Sequence, residues 1–162
     1  MKYSVICFHN PNESNGFLSN WYLSNFTLNG IVYTSMEQYM MYMKAITFDD
    51  IETAGKILNT TDVATIKTLG RQVRNYNDSI WAGMRQIIVY EGLKAKFSQN
   101  STLREMLLNT GSSILAECAV KDKIWGIGLS MSDPNRFNIT NWKGSNLLGY
   151  SLMLVRFYLK VV

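Results

Sequence analysis

The chain has 162 residues, 47% of them hydrophobic and 17% charged, with a formal net charge of +4. That length fits one domain, here 1–162, able to bury about two-thirds of its unfolded surface, so folding needs neither a metal nor a disulfide. A modest positive charge without a long basic run gives little support to nucleic-acid binding for its own sake, and two distant cysteines, Cys7 and Cys118, with one histidine, His9, argue against a Cys/His zinc site.

Residues 2–8, KYSVICF, alternate loosely and predict a first strand, with no leader-like apolar run around them. Residues 10–16 carry turn chemistry and predict a loop. Residues 19–26, SNWYLSNF, are expected to stay irregular, and Asn29-Gly30 predicts a hairpin between short strands. Ser35 with Gln38 three positions on forms a capping-box signature, followed by a helix to about residue 45 with Met36, Tyr39, Met40 and Met43 as its apolar stripe. Asp50 through Leu58 predicts a second helix, and Asp62 caps a third that ends near Gly70.

Asp78 or Ser79 begins a long helix to about Phe97, with Ile80, Met84, Ile87, Ile88 and Leu93 as its buried side. Ser101 caps the next helix, whose Leu103, Met106 and Leu107 face inward, and Gly111 ends it. Residues 114–120, ILAECAV, predict a strand; residues 121–130 predict a glycine-punctuated loop with a short strand; residues 132–146 predict a long polar loop. Asn146 caps a final helix with Leu148, Leu152, Val155 and Leu159 on one face. That last apolar stretch contains Arg156 and Lys160 and is too short to span a bilayer cleanly, so the expectation is no membrane, a cytoplasmic location and free thiols. The class expected is helix-rich α+β: a single compact domain with a small sheet.

Glu37 and Lys44 are seven residues apart and share a helix face. The pair is either an exposed acid and base on a surface helix or an acid and amine at the rim of a cleft, where burial makes a carboxylate a proton carrier and an amine a nucleophile. Trp21, Trp81, Trp125 and Trp142 fill a core or stack on a flat ligand; Trp125 and Trp142 stand in glycine-punctuated loops. Glu117, in an apolar strand, needs a partner, and Asp122 precedes Trp125 by three residues. Arg71 and Arg74 offer forks for phosphate or carboxylate, or surface charge at a helix end. No GxGxxG or Walker sequence is present, and the lone Gly126-x-Gly128 is too weak to mean a dinucleotide fold.

Taken in order, FLSNWY with its NG hairpin, YTSMEQYMMYMKA, LGRQVR, the helix carrying Trp81, KFSQN with LLNTG, LAECAVKDKIWGIG and NWKGSNLLGYSLMLVR cover about residues 17–156. This combination resembles the NADAR (YbiA-like) family. The resemblance implies a YbiA-like helix-rich α+β fold and cleavage of an N-glycosidic bond with no cofactor and no metal. The implied partner is a small ribosyl phosphate: one branch resembles hydrolases of phosphorylated riboflavin-pathway intermediates. A second branch resembles enzymes removing ADP-ribose from modified guanine in nucleic acid, and a third reading is a non-catalytic binder of ADP-ribose-like ligands.

Carried onto this chain, the resemblance assigns catalysis to Glu37, Lys44, Asp122 and Glu117, and substrate binding to Trp81, Trp125, Arg71, Asn20, Trp142 and Asn146. Glu37 is the carboxylate that stabilises an oxocarbenium-like state or serves as base for water. Lys44 attacks C1 of ribose or binds phosphate. Asp122 or Glu117 orients water or protonates the departing base. Trp81 and Trp125 sandwich the base, and Arg71 receives a phosphate. The pocket is expected where the Glu37–Lys44 helix meets the Trp125 and Trp142 loops. The chain departs from the family pattern at Gln38, Met41 and Met43, where histidine and glutamine are common, which makes the floor less polar.

Overall fold

A computed structural model describes residues 3–162; Lys2 of the predicted first strand lies outside the described residues. The chain forms two compact units, one running Leu23–Gln99 and one joining the segment up to Tyr22 with Asn100–Val162. Both mix helix with a two-stranded sheet, so the helix-rich α+β class holds, with two separate strand pairs in place of one small sheet.

The Leu23–Gln99 unit opens with an antiparallel hairpin whose strands are Leu23–Leu28 and Ile31–Ser35. With Val5–Phe8 of the other unit taken as β1, these are β2 and β3. Asn29 and Gly30 both have positive φ, 52° and 79°, the conformation a two-residue hairpin turn requires. β2 begins inside the stretch expected to be irregular: Phe26 points into an aromatic cluster with Tyr33 and Tyr39, ring centroids 5.7 and 6.0 Å away. Helix α1 (Met36–Thr47) follows directly. The Ser35 hydroxyl accepts the Gln38 N–H at 3.1 Å, as the capping box predicts. The Gln38 side chain does not return the bond to Ser35 N but reaches one residue further back and across to α2. Its Oε1 accepts from Thr34 N at 2.8 Å, and its Nε2 donates to the carbonyls of Ile57 and Thr60 at 3.1 and 2.9 Å.

Helices α2 (Ile51–Leu58), α3 (Val63–Arg71) and α4 (Asp78–Gln99) surround α1. The buried line of α4 keeps Ile88 and Leu93 of the predicted side but not the other three residues. Ile80 and Ile87 are 50% and 68% exposed, and Met84 is exposed as well; Trp81, Ile88, Val89, Leu93, Lys96 and Phe97 are buried. The observed line is offset by one residue, about 100° of rotation. Gly92 and Lys96 lie on it and conceal it from a count of apolar residues. The glycine is required by close approach: a Cβ there would lie 2.4 Å from the Tyr39 ring of α1.

Asp50 caps α2 through Thr53 N at 3.2 Å and accepts three bonds from Arg74, from its Nη2 at 2.8 Å, its Nε at 3.2 Å and its backbone N at 2.9 Å. Those bonds, the Arg74 guanidinium first, hold the Asp50 carboxyl well below the usual carboxylate range. A carboxylate depressed on folding adds stability above its unfolded value, about pH 4, and loses it as pH falls through the folded one. Asp50→Asn is therefore expected to lower the thermal midpoint at neutral pH. The gap from the parent protein should narrow progressively in melts below about pH 4; a gap independent of pH would assign the loss to packing.

In the other unit, β1 pairs in parallel with β4 (Ile114–Glu117), Cys7 opposite Ala116. Cys7 and Cys118 are buried free thiols in the cluster that also holds Ala116, Ile127 and Leu129. Helix α5 (Ser101–Asn109) is preceded by Asn100 at the cap position, so Ser101 is its first helical residue; Leu103 and Leu107 are buried while Met106 is at the surface. Helix α6 (Leu147–Val161) buries Leu148, Leu152, Val155 and Leu159, as its spacing predicts. Its Arg156 is also buried, donating to Thr110 Oγ1 at 2.6 Å and the Ser113 carbonyl at 2.8 Å. No strand forms in 121–130, and the polar segment 132–146 contains two 3-10 turns, Pro134–Phe137 and Ile139–Asn141. Among the described residues no helix is long and apolar enough to cross a membrane.

Candidate active site

In the Leu23–Gln99 unit the surface-helix reading of Glu37 fails: the residue is 4% exposed, inside the first turn of α1. Lys44 lies two turns on and is half-buried. Its amine donates to the Gly70 carbonyl at 2.7 Å and sits 4.3 Å from the centroid of the Tyr76 ring. A close contact of two helices puts it there. At Gly70 the end of α3 packs directly on the Met41 side chain of α1, and a larger residue there would have to displace that side chain. Met41 is thus matched to Gly70.

Burial, and then the guanidinium of Arg71, push the Lys44 amine below the ordinary lysine range; Asp78 and Glu37 act in the opposite sense. Glu37, Arg71 and Asp78 are therefore each within electrostatic reach of this amine. Arg71 ends α3 with its side chain exposed. Its neighbour Arg74 is committed to Asp50 and to Glu52, 3.3 Å away. Trp81 is buried on α4.

Three residues here were not singled out from the sequence. Tyr76 carries Lys44 on its ring face, donates its hydroxyl to Asp78 at 2.7 Å and meets the Phe48 ring edge-on at 5.3 Å. Arg85, one turn after Trp81, bears on the Tyr76 phenol. Lys96 is 0% exposed, 5.0 Å from the Phe97 ring centroid, with its amine pushed down to about 7 by burial. Lys96 was detectable in principle: it stands three and seven residues after Leu93 and Val89, on their apolar line.

In the other unit the two glycine-punctuated loops are joined. Backbone N–H groups of Lys143, Ser145, Asn146, Leu147 and Leu148 donate to carbonyls of Ile127, Lys123, Gly126, Ile124 and Trp125 at 2.8–3.2 Å. A Cβ at Gly144 would lie 2.3 Å from the Gly126 carbonyl oxygen, which explains glycine in that loop. Asp122 shapes the turn, its Oδ1 accepting from Ile124 N and Trp125 N at 3.0 and 2.9 Å. Trp125 is buried. Glu117 ends β4, its carbonyl accepting from Ile127 N and its N–H donating to Asn146 Oδ1 at 3.1 Å.

Asn146 does not cap α6 with its side chain. Its backbone is left-handed, φ 51°, and its side-chain amide lies along β4, completing the bond pair through Nδ2 to the Leu115 carbonyl at 2.8 Å. Trp142 donates its indole N–H to the Arg136 carbonyl at 2.8 Å and packs against the Cys7–Leu129 cluster. The amide of Asn146 and the indole N–H of Trp142 are thus held by the protein itself. Asn20 is buried, with its Oδ1 lacking a hydrogen-bond partner among the described residues. Among the described residues no group of three or more His, Cys, Asp or Glu gathers as metal ligands.

The NADAR domain family profile matches residues 7–160. The chain is 42% identical over 159 residues to a protein called N-glycosidase R617 from Acanthamoeba polyphaga mimivirus, covering 93% of this chain and 94% of that one. It is 33% identical over 151 residues to the riboflavin biosynthesis protein VVA0006 of Vibrio vulnificus, where the match takes 93% of this chain but spans only 37% of that protein. The NMR structure of the E. coli protein YbiA superposes with a TM-score of 0.81 at 26% identity, covering 99% of this chain and 88% of that one.

Proposed function

The chain belongs to the NADAR domain family, and on that premise we propose that it hydrolyses the C–N bond between a base and a phosphorylated ribosyl group, as in riboflavin-pathway intermediates. The observation that carries this reading is the buried Glu37 carboxylate on the same helix face as the desolvated Lys44 amine. The names of the mimivirus and Vibrio relatives support the reaction class and the substrate class respectively.

The chemistry follows from those two groups. Loss of the base leaves positive charge on C1 and its ring oxygen, and a carboxylate held in a poorly solvated place stabilises that charge strongly. The neutral Lys44 amine attacks C1, the C–N bond to the base breaks, and the base leaves with a proton. The ribosyl-lysine adduct opens to an imine, with the ring oxygen taking a proton. Water then adds to the imine carbon and returns the amine and the free ribose phosphate. Every step is a proton or electron-pair movement, and no redox partner is needed.

The test is incubation with a phosphorylated ribosylamino-pyrimidine and, separately, with an ADP-ribosylated guanine oligonucleotide, following released base by mass spectrometry. Release of the pyrimidine is the expected result. Release from the oligonucleotide alone would transfer the activity to that substrate, and saturable ADP-ribose binding with no base from either would make the protein a binder.

A further inference from the structure

The Lys44–Tyr76 pair has a second arginine beside it that the hydrolytic mechanism leaves unused. Arg85 stands one turn after the buried Trp81 on α4, so both side chains leave the same helix face. Its charge reaches the Tyr76 phenol, and Tyr76 lies under the Lys44 amine at 4.3 Å. The Arg85 Nε is buried yet has no hydrogen-bond acceptor among the described residues. A buried guanidinium N–H without a protein acceptor is costly and calls for an explanation, and an acceptor brought by a bound ligand is one. The charged groups around the pair are Arg71, Arg85 and Lys44 against Asp78 and Glu37. Asp78 already accepts the Tyr76 hydroxyl.

We propose that Arg85 is a specificity-determining residue that binds the phosphate of the ribosyl substrate beside the Lys44–Tyr76 pair. The guanidinium offers directed N–H donors to the planar edge of two phosphate oxygens, and its charge does not titrate in the working range. Lys44 is thereby left available for C1, since the arginines carry the anion. Trp81, one turn earlier, places an aromatic side chain on the same face as this anion subsite. The inference rests on the ribosyl-phosphate reading given above.

Titration calorimetry on the full chain tests it with ribose 5-phosphate, ribose and ADP-ribose as probes. The wild type is expected to prefer ribose 5-phosphate over ribose, and Arg85→Gln to lose about 10- to 100-fold in affinity for the phosphate ester, the worth of a charged hydrogen bond. Arg85→Lys recovers part of it as a point charge and keeps the test usable if the glutamine variant melts early. Equal weakening of ADP-ribose identifies the bound group as any phosphate on ribose; weakening of ribose 5-phosphate alone identifies a phosphomonoester. In turnover, KM rises by the same factor while kcat holds. Unchanged phosphate affinity in Arg85→Gln, or no phosphate binding by the wild type, overturns the subsite. Arg85-dependent phosphate binding by a wild type that releases no base leaves the subsite standing and removes the glycosidase reading.

Discussion

Glu37→Gln is expected to lower kcat by about 10²- to 10⁴-fold, the range for a carboxylate that moves a proton or stabilises charge at the reacting carbon. The substitution is nearly isosteric, so the fold should survive, and a circular dichroism melt run beside the kinetics checks that it does. Glu37 is buried on the first turn of α1, and the helix N-terminus there favours a negative charge. Removing the charge while keeping the shape therefore isolates electrostatics from packing. Substrate affinity is expected to change far less than kcat, because the charge on C1 develops only in the transition state. A folded Glu37→Gln protein with full activity would remove Glu37 from the chemistry.

Lys44→Ala is expected to cost on the order of 10³ in kcat if the amine is the nucleophile. Borohydride added during turnover should then trap a ribosyl adduct on the Lys44 peptide, and none on the alanine variant. The pH profile separates the two roles open to this side chain. Burial and Arg71 lower the amine's proton affinity, so it becomes neutral at lower pH than an ordinary lysine. A nucleophile must be neutral, and kcat/KM then rises with pH through that lowered value. A phosphate ligand must be charged, and kcat/KM then falls over the same range. Failure to trap an adduct, with a falling profile, would make Lys44 an anion ligand alongside Arg85 and Arg71.

Local signals were legible where the chemistry is local. The Ser35 cap, the Asn29-Gly30 turn, the Asp50 and Asp62 caps and the apolar face of α6 each depend on residues within a few positions, and each forms as read. Partners distant in sequence were not legible. Gln38 looks like half of a capping box, yet it also clasps the end of α2. Asn146 looks like a cap, yet its amide bonds β4, 29 and 31 residues earlier.

The helix-rich α+β class, the helix that carries Glu37 and Lys44, and the family were all readable from the order of residues. Periodicity fixes which residues share a face, and motif order survives without coordinates. The burial of Glu37, the seating of Lys44 on Gly70 and Tyr76, and the bearing of the Arg85 charge on Tyr76 came from the three-dimensional packing alone. Burial and proton affinity are properties of the groups that surround a side chain. Those groups come here from α3, α4 and the turn between them, where Gly70 of α3 packs on the Met41 side chain of α1.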